Sequence, residues 1–263
     1  MSSMTIQNRQ KLKNLVQGWP ASTVCLTSQL VERGFSRQLI SQYKSAGWLD
    51  AVGTGAVKRH NDKVDYYGGL YALQNQAGLD VHIGGRTALA LQGRAHYLNM
   101  ASSRVILFGN SGEKLPAWFR KYDWGEKVNF YATSFLSDKA GLVDHTHESF
   151  AVKVSGPARA IMECLYLTPK HQELFECLEL MEGLNNLRPR TVQRLLEVCT
   201  SIKVKRLFLY MAEKCKHDWL EYIDLNQVDL GNGARSIVKN GVYIDKYKIT
   251  VPREFEKNDK PEI

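Results

Sequence analysis

The sequence predicts a mixed α+β protein with two domains, and three observations lead to this fold class. Two short amphipathic helices and a hairpin are predicted over residues 27–59. Strand-like and helix-like segments alternate over residues 79–252. The length of 263 residues is sufficient for two hydrophobic cores. We therefore expect one domain at residues 1–78, a mixed α/β domain at residues 79–252, and a polar tail at residues 253–263.

The most informative segment predicts a helix–turn–helix. Thr27 or Ser28 can cap a first helix, and Gly34 suits the left-handed position after its end. Ser36 then caps a second helix, whose apolar side holds Leu39, Ile40, Tyr43, Ala46 and Gly47. The opposite side of that helix is polar and holds Arg37, Gln38, Ser41, Lys44 and Ser45. Cations that meet phosphates and short polar groups that meet base edges are what a helix needs in a DNA major groove.

A hairpin is predicted directly after the second helix, with strands at residues 48–52 and 56–59 on either side of Gly53-Thr54-Gly55. Two helices followed by such a hairpin predict a winged helix-turn-helix. The candidate DNA-binding residues are Thr27, Gln29, Ser36, Arg37, Gln38, Ser41, Gln42, Lys44, Lys58, Arg59 and His60. Paired helices with a glycine turn also occur in all-helical proteins that bind no nucleic acid, which is the alternative.

The distribution of charge favours the DNA-binding interpretation. Residues 1–94 hold 11 Lys and Arg against 5 Asp and Glu, a net charge of +6. Residues 95–263 hold 24 against 22, a net charge of +2. Because the excess of basic residues coincides with the predicted helix–turn–helix, a polyanionic partner such as double-stranded DNA is expected there.

The remaining elements follow from periodicity and turn residues. Helices are predicted over residues 5–17 and 66–76. The second domain is expected to begin with short strands and helices at residues 79–83, 87–91, 104–108, 116–122, 128–131 and 150–154. Four helices follow, at residues 157–166, 172–181, 191–199 and 204–214. Short strands with glycine turns are expected between residues 229 and 252, and the tail after them is expected to be frayed.

Two motifs have the form of a ligand site. His145 and His147 are two residues apart, the spacing of a metal-binding pair on a strand, but no third ligand is marked and a polar loop is the favoured interpretation. The Gly84-Gly85 turn before a helix can hold a phosphate on backbone amides. It lacks the glycine spacing of nucleotide-binding loops, so a structural turn is favoured. No catalytic motif is present, and neither a metal nor a cofactor is expected.

A second group of basic residues lies in the carboxy-terminal half and comprises Arg188, Arg190, Arg194, Lys203, Lys205 and Arg206. On the helix that begins near Val204, Lys203, Arg206 and Lys214 are expected to share an outer face. Such a face is either ordinary solvated surface or a binding surface for an acidic partner or RNA.

The cysteines and the apolar segments suggest where the protein works. Cys25, Cys164, Cys177, Cys199 and Cys215 are far apart and are expected to be buried free thiols. The amino-terminal residues contain no apolar signal region, and no stretch approaches the ~20 apolar residues of a membrane span. We therefore expect a cytoplasmic protein that does not associate with a membrane.

Long stretches of the chain resemble the AbiEi antitoxins of bacterial type IV toxin–antitoxin and phage abortive-infection systems. They are GFSRQLISQYKSAGWLDAVGTGAVKR (34–59), YALQNQAGLDVHIGGRTALALQGRAHYL (71–98), LRPRTVQRLLEVCTSIKVKRLFLYMAE (187–213) and VDLGNGARSIVKNGVYIDKYKITVP (228–252). The resemblance implies an amino-terminal winged helix that binds inverted repeats in the promoter of its own operon. It also implies a carboxy-terminal antitoxin domain that opposes a companion AbiEii toxin, a nucleotidyltransferase-like protein. Direct contact with that toxin is not implied.

The preferred function is thus a DNA-binding autorepressor and antitoxin without catalytic residues, and the second basic group becomes its candidate antitoxin surface. Two alternatives concern the second domain. It is either an enzyme that handles nucleotides or phosphate through the Gly84-Gly85 turn and the second basic group, or a pure protein-interaction module.

Overall fold

The structure, a computed structural model, describes residues 15, 18–94, 104–136 and 139–257, in which helices and three β-sheets are found. Two compact units are present. The first is formed by Met1–His82, Ser103–Ala132 and Asp144–Val154, and the second by Ile83–Ser102, Thr133–Val143 and Ser155–Ile263. The predicted mixed class of helix and sheet is confirmed. The predicted boundary near residue 78 stays a prediction, and it falls within the first unit.

The first unit begins with a short strand, two helices and a hairpin. The elements are β1 (Cys25–Leu26), α1 (Thr27–Glu32), α2 (Arg37–Ser45), β2 (Leu49–Gly53) and β3 (Ala56–Arg59). The strands form an antiparallel sheet in the order β1-β3-β2. Their shared core contains Leu15, Trp19, Cys25, Leu30, Phe35, Ile40, Tyr43, Leu49 and Val57. Of the helix predicted over residues 5–17, only Leu15 lies within the described residues, and it is buried in this core.

Helix α3 (Tyr66–Asn75) contains the sequence Gly68-Gly69, which weakens a helix and therefore needs a reason. Asp65 caps the helix, with its Oδ1 accepting the amides of Tyr67 at 2.9 Å and Gly68 at 3.2 Å. A Cβ atom at Gly68 would lie 2.0 Å from the carbonyl oxygen of Ser22. The close approach of this backbone segment explains why a residue without a side chain occupies the first turn of α3.

A five-stranded sheet follows in the order β6-β5-β4-β8-β7. Along the chain the elements are β4 (His82–Ile83), α4 (Gly85–Leu91), β5 (Val105–Asn110), α5 (Ala117–Lys121), β6 (Val128–Thr133), β7 (Leu142–His147) and β8 (Phe150–Ser155). The expectation of a polar loop around His145 and His147 is wrong, because these residues belong to β7. This strand is at the end of the sheet order, where exposed polar side chains are tolerated, and so its sequence does not look like a buried strand.

The second unit is built mainly from helices α6 (Pro157–Leu167), α7 (Leu174–Glu182), α8 (Pro189–Val198) and α9 (Ile202–Lys214). These are the four helices that the periodicity predicts. Short 3₁₀ helices follow at Asp218–Tyr222, Leu225–Gln227 and Asp245–Tyr247. A small sheet of β9 (Arg235–Ser236), β10 (Val242–Ile244) and β11 (Ile249–Val251) has the order β10-β11-β9, with β10 antiparallel and β9 parallel to β11.

The expectation of a frayed polar tail from residue 253 is wrong for its first part. Residues Arg253–Lys257 form helix α10. Phe255 on this helix is 1% exposed and packs edge-on against Phe175, with ring centroids 4.9 Å apart. Tyr210 donates its hydroxyl hydrogen to Glu256 Oε1 at 2.7 Å. The aromatic contact of Phe255 and the hydrogen bond of Glu256 both dock this turn of helix. Residues 258–263 lie outside the described residues.

The expected outer face of α9 is also wrong, because the helix is buried on nearly every side. All residues from Val204 to Ala212 are buried, and Lys205 and Arg206 are 3% and 2% exposed. Lys203 is half-buried, and its Nζ donates to the carbonyl oxygens of Tyr166 at 2.8 Å and Thr168 at 2.7 Å. Burial lowers the pKa of Lys203. These three residues therefore do not form an exposed binding surface.

The Arg206 guanidinium instead donates hydrogen bonds that connect α9 to the carboxy-terminal segment, residues 230–248. Its Nε donates to Leu230 O at 2.8 Å, and its Nη2 donates to Gly231 O at 2.9 Å. Its Nη1 is shared between Gly233 O at 2.7 Å and Lys248 O at 3.1 Å. Because a guanidinium stays charged at all accessible pH values, these carbonyls are required for its burial.

We predict that Arg206→Met lowers the free energy of unfolding by about 3 kcal/mol, since several hydrogen bonds to a charged group are lost. Urea denaturation followed by circular dichroism measures this change. The exposed Arg235→Met is the matched control and should leave stability within about 0.5 kcal/mol of the native value. Equal stability of both variants would contradict a structural role for Arg206.

Candidate functional site

Helix α2 has one buried side and one exposed polar side, as its sequence predicts. The prediction that Ala46 and Gly47 extend the apolar side is wrong, because the helix ends at Ser45 and both residues are exposed. Ile40 is 2% exposed and Tyr43 is fully buried, whereas Leu39 is only partly covered. The other side of the helix is exposed and presents Arg37, Gln38, Ser41, Gln42, Lys44 and Ser45. Burial of Tyr43 and Ile40 fixes the rotation of α2, so this polar stripe points into solvent.

The turn between α1 and α2 has the predicted chemistry at Gly34 and Ser36. Gly34 has a φ of +88° and donates its amide to Val31 O at 2.9 Å, which closes the end of α1. Ser36 Oγ accepts the amide of Leu39 at 3.2 Å. The predicted cap at Thr27 or Ser28 is wrong, because Leu26 occupies the N-cap position and no side chain caps α1. The amide of Thr27 instead donates to Gly55 O at 2.8 Å, which ties α1 to the hairpin.

The two cations of α2 differ from those of the hairpin in their partners. Within the described residues, no carboxylate is close enough to Arg37 or Lys44 to form an ion pair. Both side chains are exposed. Their charge is therefore available to an external anion, and the nearby Gln29 is occupied locally by a hydrogen bond to Glu32 at 2.8 Å.

The basic residues of the hairpin carry internal partners. Lys58 Nζ lies 3.3 Å from Asp50 Oδ2, and His60 Nδ1 lies 3.0 Å from Asp50 Oδ1. Arg59 Nε is 2.9 Å from Asp62 Oδ2. The hydrogen bonds from His60 and Lys58 hold the pKa of Asp50 below its usual value, so this carboxylate stays charged. The hairpin is therefore less basic than its sequence indicates.

A groove of about 990 Å³ lies in the second unit, along the first turns of α8 and the two 3₁₀ helices Asp218–Tyr222 and Leu225–Gln227. Its lining residues are Arg188, Pro189, Arg190, Thr191, Gln193, Arg194, Glu197, Tyr222, Asp224 and Gln227. Three members of the second basic group thus come together here, and all three are exposed. Lys203, Lys205 and Arg206 are not part of this lining.

The two walls of this arginine groove are joined by Gln193. Its amide nitrogen donates to Asp224 O at 3.2 Å, and its amide oxygen accepts from the Asp224 backbone amide at 2.9 Å. The same nitrogen donates to Glu197 Oε1 at 2.9 Å. The Gln193 side chain therefore joins α8 to the backbone at Asp224.

Two exposed aromatic residues lie near the candidate surfaces and are not among the candidate residues that the sequence predicts. Tyr222 is 74% exposed and lines the arginine groove. Trp48, directly after α2, is 52% exposed. The signal that identifies them in the sequence is weak: each is a single aromatic residue in a segment with apolar neighbours, which is also the pattern of a core residue.

The Gly84-Gly85 turn is filled by the protein itself. The amide of Gly85 donates to Glu163 Oε2 at 2.9 Å, and Glu163 is 1% exposed. Ser155 Oγ and Arg159 Nε also bond to this carboxylate, at 2.8 Å and 3.0 Å. An internal anion therefore occupies the position where a phosphate would bind, and the structural interpretation of this turn is supported.

The histidines of β7 take part in aromatic packing. The rings of His147 and His145 stack on Tyr67, with centroids 4.0 Å and 5.9 Å away. His147 Nε2 lies 3.1 Å from Asp65 Oδ2. Among the described residues, no group of three or more His, Cys, Asp or Glu side chains is arranged to hold a metal ion.

The thiols are poor nucleophiles in this environment. All five cysteines are free; Cys215 is partly exposed and the others are buried. Burial raises the pKa of Cys25 and Cys199 to about 11 and that of Cys215 to about 12. Because the thiolate is the reactive form, these side chains are neutral and unreactive near pH 7.

In the part of the chain that the structure describes, no helix combines the length and apolar character needed to cross a bilayer.

Comparison with protein families gives two matches that together span nearly the whole chain. Residues 102–252 match the family described as "Transcriptional regulator, AbiEi antitoxin, Type IV TA system". Residues 8–100 match its companion, "Transcriptional regulator, AbiEi antitoxin N-terminal domain". No curated protein matches the sequence. The crystal structure of the RV2827C protein from Mycobacterium tuberculosis is similar in fold, with a TM-score of 0.55 and 12% identity over 95% of this chain and 92% of that chain.

Proposed function

Because the chain belongs to the AbiEi antitoxin family of type IV toxin–antitoxin transcriptional regulators, we propose that it represses its own operon by binding operator DNA through α2 and the β2–β3 hairpin. The observation that carries this proposal is the exposed polar stripe of α2, whose cations have no internal partner among the described residues. The operator is expected to contain inverted repeats, each read by one copy of this helix.

The side chains of α2 have two proposed roles, which depend on their position along the helix. Arg37, Gln38 and Ser41 lie in its first turns, where a recognition helix meets base edges. Arg37 can donate two hydrogen bonds to a guanine, and Gln38 can pair with an adenine. Lys44 lies in the last turn and suits a phosphate. Ser36, Gln42, Thr27 and Gln29 flank this stripe and complete the proposed contact surface.

The hairpin supplies a second, weaker contact in this proposal. A cation of the hairpin contacts a DNA phosphate only if its ion pair with a carboxylate is broken. The cations are Lys58, Arg59 and His60, and the carboxylates are Asp50 and Asp62. Each exchange replaces an ion pair with another of similar kind, so its net gain is small at moderate salt. The α2 cations are therefore expected to contribute most of the electrostatic affinity.

We further propose that opposition to the companion toxin, a nucleotidyltransferase-like protein, depends on the arginine groove. Arg188, Arg190 and Arg194 are the members of the second basic group that stay exposed, and they share one concave surface. The enzyme alternative is less well supported, since the Gly85 amide is already bonded to Glu163.

The first prediction concerns specificity. Arg37→Ala should weaken binding to the operator by about 1–3 kcal/mol and relax the preference at one base position, because a bidentate contact to a base edge is lost. Gel-shift titrations with native and base-substituted promoter fragments measure both effects. Arg104→Ala, an exposed arginine outside the helix–turn–helix and hairpin, is the control. Equal loss on operator and random DNA would assign Arg37 to a phosphate.

The second prediction concerns the hairpin. Replacing Lys58 and Arg59 together with Ala should reduce the slope of log K against log salt by at most about 2, one for each phosphate contact. Asp50→Asn should have the opposite effect and tighten binding at low salt, since it removes the negative charge that Lys58 and His60 face. If neither variant alters the slope, the hairpin is outside the interface.

The third prediction separates antagonism from repression. In full-length protein, Arg188→Glu with Arg190→Glu should abolish rescue of growth when the toxin is co-expressed, while repression of a promoter reporter is retained. Both side chains are exposed, so reversal should change stability only modestly, which circular dichroism checks. Arg235→Glu with Lys239→Glu makes the same charge change at exposed positions outside the groove. Full rescue by the groove variant would exclude this surface from antagonism.

A further inference from the structure

The arginine groove combines two features that its proposed role in antagonism does not require. One is the clustering of three guanidinium groups, and the other is Tyr222, which leaves 74% of its surface in solvent. Keeping a tyrosine ring exposed forgoes the burial that normally stabilises an aromatic side chain. Apart from Pro189, the other residues of the lining are polar or charged.

We propose that this groove binds single-stranded RNA, with Arg188, Arg190 and Arg194 holding successive phosphates and Tyr222 stacking on an unpaired base. Arginine forks fit phosphate oxygens, and an aromatic face accepts any base. A cationic track beside an exposed aromatic residue is the arrangement by which proteins bind single strands. This inference rests on the proposed function, because it names the ligand through which the groove would oppose the toxin.

The shape of the groove selects a single strand over a duplex. Its volume of about 990 Å³ is at the upper end for small-ligand pockets and matches a short run of nucleotides. A double helix keeps its bases stacked inside, where Tyr222 cannot reach them. The hydrogen bonds between the Gln193 side chain and the Asp224 backbone join the two walls, so widening the groove around a duplex would break them.

Two carboxylates in the lining, Glu197 and Asp224, favour RNA over DNA. Each uses one oxygen internally, Glu197 Oε1 with Gln193 and Asp224 Oδ1 with Asn226. The second oxygen of each can accept a hydrogen bond from a ribose 2′-hydroxyl or a base amino group. DNA lacks the 2′-hydroxyl and so cannot make the first of these two hydrogen bonds.

Fluorescence anisotropy with labelled oligouridylate, oligodeoxyuridylate and a DNA duplex of equal length tests the proposal. Full-length protein carrying Arg37→Ala and Lys44→Ala is used throughout, so that binding through α2 is reduced. Within this background, Tyr222→Ala should weaken binding to the RNA about tenfold, whereas Tyr222→Phe should not, because the ring that stacks is kept. Arg188→Ala with Arg190→Ala should reduce the salt slope by about 1.4. Arg235→Ala is the control.

The outcomes distinguish this inference from the proposed antagonism. Binding of RNA that depends on Tyr222 supports it, whatever the result of growth rescue. Equal affinity for the ribose and deoxyribose strands would overturn the assignment to RNA. Absence of RNA binding, together with loss of rescue by the arginine variant, would also overturn it and leave the groove as a surface for another partner. If RNA binding is unaffected by every groove variant, the strand is bound elsewhere and the proposal fails.

Discussion

A guanidinium cannot lose its charge inside a protein, so burial is possible only where enough acceptors surround it. The second unit is organised by this constraint. Arg206 satisfies it with four backbone carbonyls from the carboxy-terminal segment. Arg159 satisfies it with the Glu163 carboxylate and the carbonyls of Leu136 and Ala140. Because both side chains are satisfied, α6 and α9 can be covered on nearly all sides. The segments that supply the carbonyls are in turn fixed against these helices.

The same rule determines which cations are available to a partner. Arg59 and Lys58 are engaged with Asp62 and Asp50, and Lys203 with two carbonyls, so they add to the net charge of the chain without forming an open cationic surface. Arg37 and Lys44 in the first unit, and the arginines of the groove in the second, remain exposed. The net charge of +8 therefore overstates how much of the surface attracts a polyanion. The attraction is confined to the cations that the fold leaves exposed.

A feature can be predicted from the sequence when the residues that determine it are close together in the chain, and it is missed when they are far apart. Helix α2 and the turn before it are predictable because the Ser36 cap, the glycine turn and the apolar spacing lie within a few residues of one another. The orientation of α9 is not, since the acceptors that cover Arg206 come from residues 230–248, far along the chain. Strand β7 is missed because a polar edge strand lacks the apolar pattern of a buried one. The groove includes Tyr222 only because Gln193 on α8 bonds to the backbone of Asp224, a contact between residues 31 positions apart.

The two candidate surfaces differ in curvature, and curvature decides what each can bind. Helix α2 is convex, with its polar stripe outermost, and a convex helix enters the major groove of a duplex whose bases stay paired. The arginine groove is concave, and its walls are braced by Gln193. A rigid duplex cannot enter such a groove, whereas a flexible strand can bend to present phosphates to the arginines and a base to Tyr222. The cations on the two surfaces are chemically alike, so affinity alone does not separate their partners. Shape separates the partners proposed for them: a duplex read from outside for α2, and a chain without a partner strand for the arginine groove.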